Sequence, residues 1–207
     1  MPEYQHLANF KTREGYWHSR DIFRPLINDI YAKYKPETML EIGFNIGYSA
    51  SMWLEFDPDQ KLKLTSVDIG IHADTQAAAA AVKGLHGDRF KFILSDSKKV
   101  GPALEGGIFD LAFIDGDHTG PGVYNDIQLV LKLGVPLLLF DDYWTENDPN
   151  PIRSVCEDFQ RRGKLSLIQV YELEGLRSKV ALYRNDTINT QQNTLKRQLS
   201  LLSPTSS

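Results

Sequence analysis

Two segments carry most of the side chains that catalysis draws on: Phe113-Ile114-Asp115-Gly116-Asp117-His118 and Leu137-Leu138-Leu139-Phe140-Asp141-Asp142. Each is an apolar run that stops abruptly at carboxylates, the pattern of a buried parallel strand where it emerges at the carboxyl edge of a sheet. Open α/β sheets bind their ligands at that edge. Asp115, Asp141 and Asp142 gathered there would offer oxygen ligands to a hard divalent cation. His118, three residues after the first aspartate, would add a proton acceptor that titrates near neutral pH. Plainer roles stay open for each of them. An aspartate after a parallel strand can cap the next helix, Asp117 can stabilise its own loop or act as a second base, and His118 can be a solvated loop residue. Neighbouring strand residues face opposite sides, so Asp141 and Asp142 reach one ion only if the strand breaks there. Tyr143-Trp144 and the turn-rich Asn147-Asp148-Pro149-Asn150-Pro151 supply such a break.

The elements that must position these groups alternate along the chain. Strands are expected at Thr38–Ile42, Leu62–Val67, Phe90–Leu94, Phe109–Ile114 and Val135–Phe140. Helices are expected near Tyr48–Phe56, from a cap at Asp74 through the alanines 77–81 to about Gly84, and over Val123–Leu133, where Val123, Ile127, Val130 and Leu131 share a face. Strand and helix in alternation argue for a parallel sheet covered on both sides. Leu165–Tyr171 and Lys179–Tyr183, joined through Glu174-Gly175, read as a closing antiparallel hairpin. The expected fold class is therefore α/β, a Rossmann-like doubly wound sheet of seven strands, mixed in direction because of that hairpin. Residues 1–35 form a helical lead-in, with Ile22, Leu26, Ile27, Ile30 and Tyr34 on one face; residues 36–184 form the main domain. Residues 185–207, rich in Asn, Gln, Thr and Ser, are expected to be a disordered tail.

Composition narrows the partners. The chain of 207 residues has a net charge of -4 and a pI near 5.7, which leaves no basic footprint for nucleic acid or an anionic membrane. Small molecules are the expected partners, and the amphipathic lead-in offers a face on which two subunits could pair. Cys156 is the only cysteine, so no internal disulfide forms, and nothing resembles a signal segment or a bilayer-spanning run. A cytoplasmic location is the expectation.

A second signal lies in Glu41-Ile42-Gly43-Phe44-Asn45-Ile46-Gly47-Tyr48-Ser49, which puts two glycines in the turn after the first strand. Glycine there lets the backbone approach a ligand closely. The dinucleotide fingerprint G-x-G-x-x-G fails, because Asn45 and Tyr48 stand at its second and third glycine positions. Asp68, ending the second strand, is an acceptor-only group suited to both hydroxyls of a ribose. A glycine turn with a ribose acid indicates an adenosine ligand.

At these residues the chain resembles the class I S-adenosylmethionine-dependent methyltransferases. Glu41-x-Gly43-x-x-x-Gly47-Tyr48-Ser49 is similar to the glycine motif of the catechol and caffeoyl-coenzyme A branch. Asp115 with Asp141-Asp142 is similar to the pattern of metal-dependent O-methyltransferases acting on macrolide and aminocoumarin sugars. The catechol branch has a lysine three residues after its first metal aspartate; His118 stands there instead, as in some macrolide-sugar enzymes. Asn45 replaces a common second glycine, and Leu133-Gly134-Val135-Pro136 departs from the usual Pro-Gly-Gly.

The resemblance covers roughly residues 36–184 and implies an O-methyltransferase acting on a hydroxyl of a small sugar, polyketide or catechol-like molecule. It implies S-adenosylmethionine held by Glu41, Gly43, Asn45, Gly47, Tyr48, Ser49, Asp68, Asp96, Ser97 and Asp115, with Asp96 and Ser97 toward the adenine. It further implies magnesium or another divalent cation on Asp115, Asp141 and Asp142, with His118 as the base. Other metal-dependent chemistry such as hydroxylation is compatible with the same fold. A non-catalytic cofactor-binding or assembly protein is a further alternative, disfavoured because such a protein has no use for the full set of acids and His118. Trp53 and Trp17 are expected to pack in the core, Trp144 to wall the substrate pocket, and Tyr16 and Arg20 to join a lid or subunit contact.

Overall fold

A computed structural model describes residues 4–10, 20–143, 151–176 and 178–188. Within them β1 (Thr38–Ile42), β2 (Lys63–Asp68), β3 (Phe90–Leu94), β4 (Leu111–Ile114) and β5 (Leu137–Phe140) are parallel, and β6 (Leu165–Glu172) and β7 (Lys179–Asn185) are antiparallel. They form one seven-stranded sheet in the order β3-β2-β1-β4-β5-β7-β6. The central strands bury side chains on both faces, as their unbroken apolar runs require.

Helices cover both faces. On one side α1 (Arg20–Tyr34), α2 (Tyr48–Phe56) and α3 (Thr75–His86) close over a cluster centred on Trp53, Phe44, Phe90 and Phe113. On the other, α4 (Gly101–Leu104), α5 (Gly120–Lys132) and α6 (Ile152–Arg161) cover Leu40, Ile114, Leu138, Phe140 and Tyr183. The inner stripe of α1 is Phe23, Leu26, Ile27, Ile30 and Tyr31; Ile22 and Tyr34, expected on that face, lie only partly buried beside it. Arg20 is spent within the fold, paired with Glu55 at 2.7 Å and stacked on the rings of Tyr4 and Phe56. Trp17, Tyr16 and Trp144 lie outside the described residues. No helix among the described residues is long and apolar enough to cross a membrane.

Three sequence expectations are corrected here. The third helix runs past Gly84 to His86, and the stop is Gly87 at φ 57°; a helix tolerates one interior glycine but ends where the backbone turns left-handed. Asp74 stands at its N-cap position in a helical conformation and makes no capping hydrogen bond. Order also continues past residue 184. Asn185 is buried in β7, its side chain donating to the Val135 carbonyl at 2.9 Å, and the Asp186 amide donates to the Lys164 carbonyl.

Candidate active site

The chain leaves β1 toward β2 on one side and later places β4 on the other, so the strand order reverses between β1 and β4. That reversal opens a crevice at the carboxyl edge. The loops after β1 and β4 are its walls, and they are pressed together. Ile42 registers with Ile114, and the Asp115 amide donates to the Ile42 carbonyl at 2.8 Å. A β-carbon on Gly43 would lie 1.9 Å from the Asp115 carbonyl oxygen, at φ +95°. Glycine is thus required here by the neighbouring strand end, a constraint the sequence alone does not show. Gly43→Ala is expected to destabilise the fold by about 3 kcal/mol or more, measured by denaturant unfolding; a loss below about 1 kcal/mol would contradict this packing. Asn45 and Gly47 also adopt left-handed backbone, at φ 52° and 83°.

Asp68 braces this loop. Its Oδ2 accepts the amides of Phe44 at 2.9 Å and Asn45 at 2.8 Å, and its Oδ1 accepts the Gly70 amide at 2.6 Å. A carboxylate has about four acceptor positions, so one on Oδ1 stays open to a ligand hydroxyl. The ribose group expected from sequence is thus a carboxylate that already accepts three backbone amides. Beyond it Ile69, Ile71 and Leu94 are exposed, an apolar ledge that sequence reading missed although their hydrophobicity at a strand end was the signal. Asp96 and Ser97 sit half-buried past β3, where the Asp96 carboxylate accepts the Lys98 amide at 2.9 Å.

Glu41 is placed beneath the loop instead of in the crevice. It is fully buried, accepting from Ser49 Oγ at 2.6 Å and Ser66 Oγ at 2.5 Å. Burial pushes its pKa up to about 8 against the pull of the two serine hydroxyls. Glu41 and Ser49 therefore hold up the loop from below. Tyr48 opens α2, its ring 5.3 Å from that of Tyr4.

The acidic groups converge only in part as expected. Ligand atoms of Asp115, His118 and Asp142 all lie within 4.8 Å of one another. His118 bridges the other two: Nε2 is 3.2 Å from Asp115 Oδ1 and Nδ1 is 3.5 Å from Asp142 Oδ2. The strand does break after Phe140, since Asp142 has φ 48°. That break turns Asp142 into the cluster and leaves Asp141 buried beside it, outside the converging set among the described residues. Ser178, a residue the sequence did not single out, donates to Asp142 Oδ1 at 2.6 Å. The Asp115 hydrogen bond, opposed by burial and aided by the charges of Asp115, Asp142 and Asp141, raises the His118 pKa to about 9. Burial raises that of Asp115, with His118 pulling it back. Asp117 has the loop role: its Oδ1 accepts the Thr119 amide at 3.0 Å, and its pKa is held below the carboxylate range chiefly by that bond.

Ligand atoms this close to one another are within reach of a single first-row or alkaline-earth cation, and two carboxylates with an imidazole suit one. The open Asp68 position and the apolar ledge suit a nucleoside.

Comparison with known proteins gives the same architecture. A methyltransferase of Podospora anserina solved with S-adenosylhomocysteine is 21% identical, with 78% of this chain and 77% of that one covered at a TM-score of 0.61. An O-methyltransferase from Bacillus cereus, also in complex with S-adenosylhomocysteine, is 19% identical over 86% of both chains, TM-score 0.62. An O-methyltransferase from Streptomyces achromogenes involved in tomaymycin synthesis, in complex with S-adenosylmethionine, is 19% identical over 78% of both, TM-score 0.60. No curated protein matches by sequence. The family model described as a methyltransferase domain matches residues 40–143, from the first strand through both acidic strand ends. That span takes in half of the chain and both walls of the crevice, and the chain belongs to the methyltransferase-domain family.

Proposed function

We propose that this protein is an S-adenosylmethionine- and divalent-metal-dependent O-methyltransferase acting on a hydroxyl of a small molecule. The observation that carries the reading is the convergence of Asp115, His118 and Asp142 beside the crevice braced by Asp68. When bound, S-adenosylmethionine supplies an electrophilic methyl group, and a cation supplies positive charge that lowers the pKa of the acceptor hydroxyl.

The residues of the chain do the rest. Asp68 would hold a ribose hydroxyl, with Ile69, Ile71 and Leu94 offering apolar surface to the base and Asp96 and Ser97 polar groups beside it. Asp115 and Asp142 would hold the cation, and His118, kept in orientation by both, would take the proton lost by the acceptor hydroxyl. With its pKa near 9 the ring already carries that proton at neutral pH. The two carboxylates responsible are the same two that hold the cation, so cation and proton compete for them. With Asp115 and Asp142 engaged in holding a cation, His118 would lose part of their pull and would be available as a base nearer neutral pH.

A second reading needs no metal: the 3.2 Å contact with Asp115 makes an Asp-His pair, which acts alone as a base only as pH rises toward about 9, where the ring loses its proton. Excess chelator separates the two, since it would leave activity intact only in the second.

The cofactor half of the proposal is tested by calorimetric titration with S-adenosylhomocysteine. Asp68→Ala is expected to weaken binding about tenfold to a hundredfold, the worth of a charged hydrogen bond. Undiminished affinity in that variant would overturn the ribose assignment.

A further inference from the structure

Ser178 stands at the last position before β7 and is only 7% exposed. Its hydroxyl donates to Asp142 Oδ1 at 2.6 Å, across 36 positions of sequence. An uncharged, buried side chain thus grips one oxygen of a residue assigned above to the cation.

The sheet fixes both partners. β5 pairs with β7 so that Phe140 stands opposite Ala181, which sets the break after β5 against the start of β7. There the Tyr143 amide donates to the Lys179 carbonyl at 2.9 Å, and the hydroxyls of Tyr143 and Tyr183 share a buried hydrogen bond of 2.8 Å. The backbone is tied to β7 on either side of Asp142, by the ladder at Phe140 and by Tyr143, while Asp142 itself holds φ 48°. A residue keeps so sparsely populated a conformation where its surroundings over-determine it.

The two carboxylate oxygens of Asp142 are therefore not equivalent. Oδ1 accepts the Ser178 proton, and Oδ2 is the oxygen 3.5 Å from His118 Nδ1. Turning the carboxylate until both oxygens face the cluster would take Oδ1 away from Ser178. A buried hydroxyl left without its partner disfavours that arrangement about tenfold or more.

We infer that Ser178 is a positioning residue that limits Asp142 to one oxygen on the cation and so selects a small octahedral ion such as magnesium over calcium. Magnesium demands a tight octahedron, keeps several waters and needs only one oxygen from each carboxylate, whereas calcium accepts about six to eight oxygens in a looser shell and gains when a carboxylate offers both. With Oδ1 committed to Ser178, the cluster favours the smaller ion. Freeing Oδ1 lets Asp142 serve calcium through both oxygens. The inference rests on the metal half of the reading above. A purely structural Ser178 would weaken every cation alike.

The test is displacement of bound manganese, followed by its paramagnetic signal, by magnesium and by calcium from the full-length wild type, Ser178→Ala and Ser178→Cys. In the wild type, magnesium is expected to displace manganese at concentrations no higher than calcium requires. Ser178→Ala is expected to shift the ratio of calcium to magnesium affinity about tenfold in favour of calcium. Ser178→Cys keeps the size of the side chain but offers a much weaker donor. It is expected to shift the ratio the same way, and it decides the matter should Ser178→Ala fail to fold. An unchanged ratio in a folded variant, including one in which both ions weaken together, overturns the inference and leaves the metal reading standing. A wild type that prefers calcium does the same. No binding of manganese by the wild type overturns that reading, and this inference with it.

Discussion

Replacing His118 with alanine is expected to lower turnover about 10²–10⁴-fold, the range for a lost general base, with S-adenosylhomocysteine affinity nearly unchanged. Among the described residues the ring pairs with the acidic cluster, at 3.2 Å from Asp115 and 3.5 Å from Asp142. Asp68 and the loop it braces bond to one another without it. Turnover would be followed as S-adenosylhomocysteine release with an accepted hydroxylated molecule, and wild-type rates in the variant would remove the histidine from the reaction. A second readout needs no acceptor. A histidine whose pKa is raised from 6.5 to about 9 stabilises the fold while protonated. That contribution is complete below the unfolded value and is lost as pH rises through about 9. The metal-free wild type should therefore out-melt His118→Ala at pH 6, and the gap should narrow by pH 10. A gap that stays constant would mean that the ring is not held by the two carboxylates.

Asp142→Asn is expected to weaken divalent-cation binding by about a hundredfold or more, and Asp141→Asn to weaken it by less than about tenfold. Asp142 contributes an oxygen to the converging set, whereas among the described residues Asp141 lies outside it and bears on His118 through its charge. Asparagine suits the comparison because it tolerates the φ of 48° that residue 142 adopts. Its amide also keeps an acceptor for Ser178, which holds the side chain from behind. Titration of manganese, followed by its paramagnetic signal, would measure both variants directly. Equal losses would return the site to the symmetric aspartate pair that the sequence suggests. Full affinity in Asp142→Asn would sink the metal centre altogether.

How much of this was legible in advance depends on the distance over which each feature is decided. Strand ends and the alternation of elements follow from local hydrophobic runs, and the boundaries of β3 and α2 match their expected positions. Helix α6 was missed because Asn147-Asp148-Pro149-Asn150-Pro151 reads as turn. Its apolar spacing was nevertheless present in Ile152, Cys156 and Phe159, the residues it buries. That the turn needed glycine at Gly43 was visible, but the carbonyl that crowds it belongs to Asp115, 72 positions later and just past β4, which no local pattern reveals.

The amino-acid order alone was enough to specify the α/β class, the closing hairpin, the acidic strand ends and the glycine turn, because each depends on side-chain period and on residues close in the chain. Which carboxylates meet was decided elsewhere. The left-handed turn at Asp142 separates it from Asp141, the hydroxyls of Ser49 on α2 and Ser66 on β2 hold Glu41 buried beneath the loop, and α5 carries Asp126 under Gly116. These outcomes depend on strand register and on how helices seat against the sheet. Such non-local contacts exist only once the chain is folded, and they determine which of several plausible aspartates is buried, which is braced and which can act.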